Sequence, residues 1–69
     1  MKVYYETGVE TPEIFGSGSQ FSNIMRTASE EDAFRAYYTG GRNYLCKITF
    51  CPDKHRVIEW WNEREKCWR

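Results

Sequence analysis

The segment YLCKITFCPDKHRVIEWWN, residues 44–62, decides the fold. Both of its halves are rich in β-branched and aromatic residues, and Pro52, Asp53, Lys54 and His55 between them are turn formers or polar. The stretch predicts a β-hairpin with strands over residues 44–51 and 56–62. A four-residue turn at 52–55 pairs Cys51 with Arg56, Thr49 with Ile58, Lys47 with Trp60 and Cys46 with Trp61. One face of that ribbon carries Tyr44, Cys46, Ile48, Phe50, Val57 and Trp61 and is expected to lie under a helix. The other carries Leu45, Lys47, Thr49, Ile58 and Trp60 beside Arg56 and Asn62. This second face is too apolar for plain solvent and too charged for a closed core, so it is the expected contact surface.

The covering helix is written just upstream. In Thr27-Ala-Ser-Glu-Glu-Asp32, Thr27 with Glu30 or Ser29 with Asp32 fits a capping box. Three acids occupy the first turn, where the helix dipole favours negative charge. Ala33, Phe34, Ala36, Tyr37 and Tyr38 form an apolar stripe, and Gly40-Gly41 supplies a left-handed stop. The helix is therefore predicted over residues 30–39. Residues 2–9, with Val3, Tyr4 and Tyr5 in a row, predict a strand. Residues 10–20 read as a long turn-rich connection, and residues 21–26 as either a short strand, the favoured reading, or a helical segment, since Phe21, Ile24 and Met25 also fit a helical spacing. The whole is expected to be one α+β domain, a helix packed on an antiparallel sheet of three or four strands, in the order ββαββ or βαββ.

A chain of 69 residues lies near the lower limit for folding alone. Three Trp, five Tyr and four Phe supply the apolar area, and a domain this small cannot hide all twelve. A protein partner or a homo-oligomer is the expected cover. Ten Lys/Arg against ten Asp/Glu leave no net charge, which argues against duplex DNA as a partner. There is no apolar leader and no run long enough for a membrane helix, so no membrane association is expected. Three cysteines do not make a disulfide framework, and the chain is read as cytoplasmic with reduced thiols.

Four constellations carry candidate chemistry. Gly16-Ser17-Gly18-Ser19 lacks the lysine and spacing of a phosphate loop and the third glycine of a dinucleotide fingerprint. Its backbone and hydroxyls remain a candidate anion nest, with Arg42 as a possible clamp if the loops converge. Cys51, Asp53 and His55 bring a thiol, a carboxylate and an imidazole into five residues. A tight exposed turn does not supply the desolvated geometry of a catalytic pair, so no enzymatic activity is expected. Cys46, Cys51, His55 and Cys67 offer the ligand types of a Cys3His zinc site, but Cys46 and Cys51 point to opposite faces of a regular strand. Buried core thiols are the expected fate, with no metal and no cofactor. Finally, Trp60 beside Lys47, Arg56 and Ile58 is suited to anchor a partner.

The expected function is thus that of a small non-enzymatic intracellular binding protein acting through the Trp60 face. In size and aromatic content the chain is similar to the small inhibitors that phages and mobile elements direct against host defence proteins. The alternatives are an oligomer that sequesters a nucleotide-like anion through Gly16, Ser17, Gly18, Ser19 and Arg42, and a zinc-stapled nucleic-acid-binding module.

Overall fold

The computed structural model describes residues 2–13, 16 and 18–69. Its elements run β1 (Lys2–Pro12), β2 (Ser19–Thr27), α1 (Glu30–Thr39), β3 (Tyr44–Phe50), β4 (Arg56–Asn62) and β5 (Cys67–Trp68). They form a sheet in the order β2-β1-β3-β4-β5, antiparallel throughout. The α+β class is as expected, but the sheet has five strands. The fifth arises because Asn62 organises a turn: its side-chain oxygen accepts from the Glu65 N–H at 2.9 Å and its carbonyl from the Lys66 N–H at 2.7 Å. Lys66 takes a left-handed φ of 57°, and the chain returns along β4. Among the described residues no helix is long and apolar enough to cross a membrane.

The helix begins and ends where the caps place it. Ser29 accepts from the Asp32 N–H at 3.2 Å, and the Gly40 N–H donates to the Ala36 carbonyl at 2.9 Å. Gly41 then provides the left-handed turn, with φ 67°. Of the two possible capping pairs, the chain uses Ser29, and Thr27 instead accepts from the Ser29 N–H. The first two strands run further than expected, so the turn-rich connection shrinks to the residues between Pro12 and Ser19.

The register of the second hairpin differs from the expectation by one residue. Phe50 pairs with Arg56, Thr49 with Val57, Ile48 with Ile58, Lys47 with Glu59 and Cys46 with Trp60. The loop is therefore five residues, 51–55, closed by the Cys51 N–H donating to the His55 carbonyl at 2.9 Å, with Lys54 at a φ of 73°. A one-residue slip exchanges the faces of a strand. On β3 the face under the helix is Leu45, Lys47 and Thr49, and the face carrying Tyr44, Cys46, Ile48 and Phe50 is the open one. On β4 the expected sides hold, with Val57 and Trp61 on the helix side and Ile58 and Trp60 opposite.

The core lies between α1 and the helix side of the sheet. Tyr5, Ala33 and Leu45 are its buried members, ringed by Val3, Phe34, Tyr37, Trp61 and Trp68. Trp68 folds back onto the core, with its ring 5.9 Å from Tyr5, 5.9 Å from Phe34 and 5.3 Å from Trp61. The buried Thr7 hydroxyl donates to the Tyr44 carbonyl at 2.7 Å, which satisfies it in the middle of the sheet.

Candidate binding face

With α1 on one side, the other side of the sheet has no covering element among the described residues. Alternation on the observed registers places Tyr4, Glu6 and Gly8 of β1 there. It adds Phe21 and Arg26 of β2, Tyr44, Cys46, Ile48 and Phe50 of β3, and Arg56, Ile58 and Trp60 of β4. Tyr4, Phe21, Phe50, Ile58 and Trp60 are all exposed, Trp60 at 47%.

The aromatic side chains of this face form two groups. Toward one end, Phe21 meets Tyr44 edge-on at 5.5 Å, and Tyr44 lies 5.9 Å from Trp60, so three strands contribute to one continuous aromatic row. Toward the other end, Tyr4 meets Phe50 edge-on at 5.9 Å. Such edge-on pairs fix ring orientation and so pre-organise a contact surface. Gly8 makes the first row possible. A Cβ there would fall 3.0 Å from the Tyr44 Oη and 3.0 Å from the Ser22 carbonyl oxygen, so the Tyr44 ring lies across the bare backbone of β1.

A polar hinge joins the two groups. The Glu6 carboxylate accepts from Arg26 Nε at 2.7 Å and from the Tyr44 hydroxyl at 3.0 Å. Burial, then this hydrogen bond, push the Tyr44 phenol well above its ordinary value. The neighbouring Cys46 thiol is pushed up to about 11, first by burial and then by the Glu6 charge, so it stays a neutral, inert thiol at physiological pH. Beside this hinge lies a groove of about 650 Å³ whose walls include Tyr4, Arg26, Ile48, Phe50 and Arg56. Among the described residues, no carboxylate is paired with Arg56.

The residues singled out from the sequence are divided by this arrangement. Arg56, Ile58 and Trp60 stand together on the open face. Lys47 stands on the opposite face, with Nζ 5.9 Å from the centre of the Trp68 ring, because of the register shift described above. Gly16, Gly18 and Ser19 lie at the tip of the β1–β2 hairpin, where Ser19 pairs with Pro12; Ser17 is outside the described residues. Arg42 is engaged elsewhere. Its Nη1 donates to the Ala36 carbonyl at 3.1 Å and its Nε to the Asn23 carbonyl at 3.0 Å, tying the end of α1 to a bulge in β2. That bulge is where two residues of β2, Asn23 and Ile24, oppose one of β1, Gly8, with Asn23 at a φ of 53°.

The three thiols are free and dispersed. Cys46 is central in β3, whereas Cys51 lies five residues on, about 16 Å along an extended chain. A single ion does not span that distance, so the four-ligand Cys46/Cys51/His55/Cys67 site does not form. Tyr4, Glu6, Phe21, Arg26, Tyr44 and Phe50 belong to the open face and were not expected there. The signal that would have found them is Phe50: a five-residue loop puts it opposite Arg56, and alternation does the rest.

No protein-family model, curated protein or solved structure matches this chain.

Proposed function

We propose that this protein is a non-enzymatic binding protein that holds a protein partner on the open face of its sheet. The observation that supports this reading is the aromatic row Phe21–Tyr44–Trp60, in which exposed Phe21 and Trp60 flank the buried Tyr44, continued by the exposed Ile58, Tyr4 and Phe50 on a face with no cover among the described residues. Aromatic residues and arginine are the residue types enriched at the centres of protein interfaces, and here they are pre-oriented by edge-on contacts. The chemistry also describes the partner. It presents an apolar surface to the aromatic row and a carboxylate to Arg56, which has no acidic mate among the described residues.

Such a protein acts by occlusion, in the manner of a small inhibitor that covers a surface its target needs. The free thiols suit a reducing, cytoplasmic setting. A second copy of the chain is the simplest apolar partner, and it is told apart by size. The test is affinity capture from lysate with mass spectrometry, comparing wild type with Trp60→Ala and Ile58→Asp, together with light scattering of the purified proteins. Both variants are expected to retain the wild-type circular dichroism and lose a specific captured protein. Equal capture by folded variants would refute the reading.

A further inference from the structure

The loop between β3 and β4 gathers a thiol, a carboxylate and an imidazole onto one side of a braced turn. Cys51, Asp53 and His55 each offer a ligand atom, and the three atoms lie within 4.8 Å of one another. His55 Nδ1 is already 2.5 Å from Asp53 Oδ1. The backbone holds these positions. The Cys51 N–H donates to the His55 carbonyl at 2.9 Å, and the Lys54 N–H donates to the Cys51 carbonyl at 3.1 Å. Pro52 fixes its own φ, and Lys54 sits in the left-handed region, so the chain folds back within five residues. The turn thereby brings the three side chains toward one another.

We propose that this turn is a divalent-metal site for a borderline ion such as zinc, with Cys51 Sγ, an Asp53 carboxylate oxygen and a His55 ring nitrogen as ligands. Thiolate and imidazole together select ions of zinc's softness over magnesium or calcium. Metal bonds of about 2.3 Å to sulfur and about 2.0 Å to nitrogen or oxygen set tetrahedral ligand separations of roughly 3.3–3.5 Å. The half-buried Cys51 and the exposed Asp53 and His55 reach those separations by small side-chain rotations, without moving the braced backbone. Binding releases the Cys51 thiol proton to solvent, and the thiolate and carboxylate neutralise the two charges of the ion. Three protein ligands leave the fourth position to water. The site differs from the four-ligand arrangement suggested by the sequence: it uses Asp53 and needs neither Cys46 nor Cys67. It is also independent of the open-face reading, since its ligands belong to the loop.

The test is titration of reduced, metal-depleted protein with cobalt(II), followed by displacement with zinc. One equivalent of cobalt is expected to give a thiolate-to-metal charge-transfer band and tetrahedral visible absorption, both abolished by equimolar zinc. Cys51→Ser is expected to remove the charge-transfer band. His55→Ala is expected to weaken zinc roughly 100-fold, since losing even an outer-shell partner costs about 10- to 100-fold. Cys67→Ser keeps both bands. All three positions lie outside the core, so circular dichroism stays unchanged. Absence of the band in wild type overturns the proposal, as does a band that survives Cys51→Ser or one that disappears in Cys67→Ser.

Discussion

Trp60 and Trp61 are neighbours in the chain and stand on opposite faces of the sheet. Trp61 is half-buried, edge-on to Phe34 at 4.9 Å, with Nε1 donating to Glu63 at 2.8 Å, whereas Trp60 is open to solvent. Replacing each by alanine therefore has opposite consequences. Trp61→Ala is expected to cost about 3 kcal/mol, because it empties part of the core and removes one of the hydrogen bonds to the Glu63 carboxylate. Trp60→Ala is expected to cost less than about 1 kcal/mol and to act on partner capture instead. Urea denaturation of the two variants decides this, and equal losses of stability would contradict the facial assignment.

Gly8 is the position at which β1 admits the Tyr44 ring. Alanine ordinarily strengthens a strand relative to glycine by about 0.5–1 kcal/mol. Here the new methyl meets the Ser22 carbonyl, which the β1–β2 pairing holds in place, as well as the mobile end of Tyr44. Gly8→Ala is expected to destabilise by about 1 kcal/mol, and Gly8→Val by more. A shift of the Phe21 and Tyr44 ring resonances in NMR spectra should accompany the loss. An unchanged or raised urea midpoint for Gly8→Ala would show that the sheet yields at this point.

The two ends of α1 are secured by different means. Ser29→Ala removes the acceptor for the Asp32 N–H and is expected to cost about 1 kcal/mol. Arg42→Ala removes two charge-assisted bonds, to Ala36 and Asn23, and is expected to cost a similar amount. Amide exchange separates them: the first variant should loosen the start of the helix, the second its last turn and the β2 bulge. Loss of anion binding without loss of stability in Arg42→Ala would instead mark it as a ligand clamp.

Alkaline pH should weaken the fold through Cys46. Its folded value of about 11 stands above the ordinary thiol value of 9.0. The neutral thiol is thus the form the folded state prefers, and the associated stability is fully present below about pH 9. It is lost as the pH rises through about 11, by up to roughly 2–3 kcal/mol, and the raised Tyr44 phenol acts in the same direction. Urea midpoints measured from pH 7 to 10.5 should fall, and Cys46→Ala should flatten part of that slope. A midpoint that does not vary over this range would mean that the thiol ionises as freely in the folded chain as in the unfolded one.

The helix was legible because its signals are local. Ser29, three acids, a 3.6-residue stripe and two glycines all bear on the same ten residues. The second hairpin was legible in its strands and not in its register, because both sides of residues 44–50 are apolar enough to serve as the inner one. Lys54 in a left-handed conformation gives no sign in the sequence comparable to glycine or asparagine, and it is what lengthens the loop to five residues. The candidate face inherited that error. Arg56, Ile58 and Trp60 were identified correctly as neighbours because β4 kept its orientation, while Lys47 was exchanged for Ile48 and Phe50 because β3 did not. The contribution of β1 and β2 depended on long-range pairings that no local pattern encodes.

The central pairing of β1 with β3 joins residues as far apart in the chain as Lys2 and Phe50. Either side of it, the connections are short. The first hairpin runs into α1 and ends at Gly41, and the three later strands form a meander from Tyr44 onward. The molecule is thus two consecutive local blocks that meet along one ladder, with α1 leaning across it. Cut between Gly40 and Gly41, the chain separates into segments that each keep their own turns and each lack half of the core. Mixed together they should rebuild the fold by strand addition, with Tyr5 and Leu45 meeting again across the cut. The same ladder on which folding must wait is therefore a natural place to make the protein's assembly conditional on the meeting of two peptides.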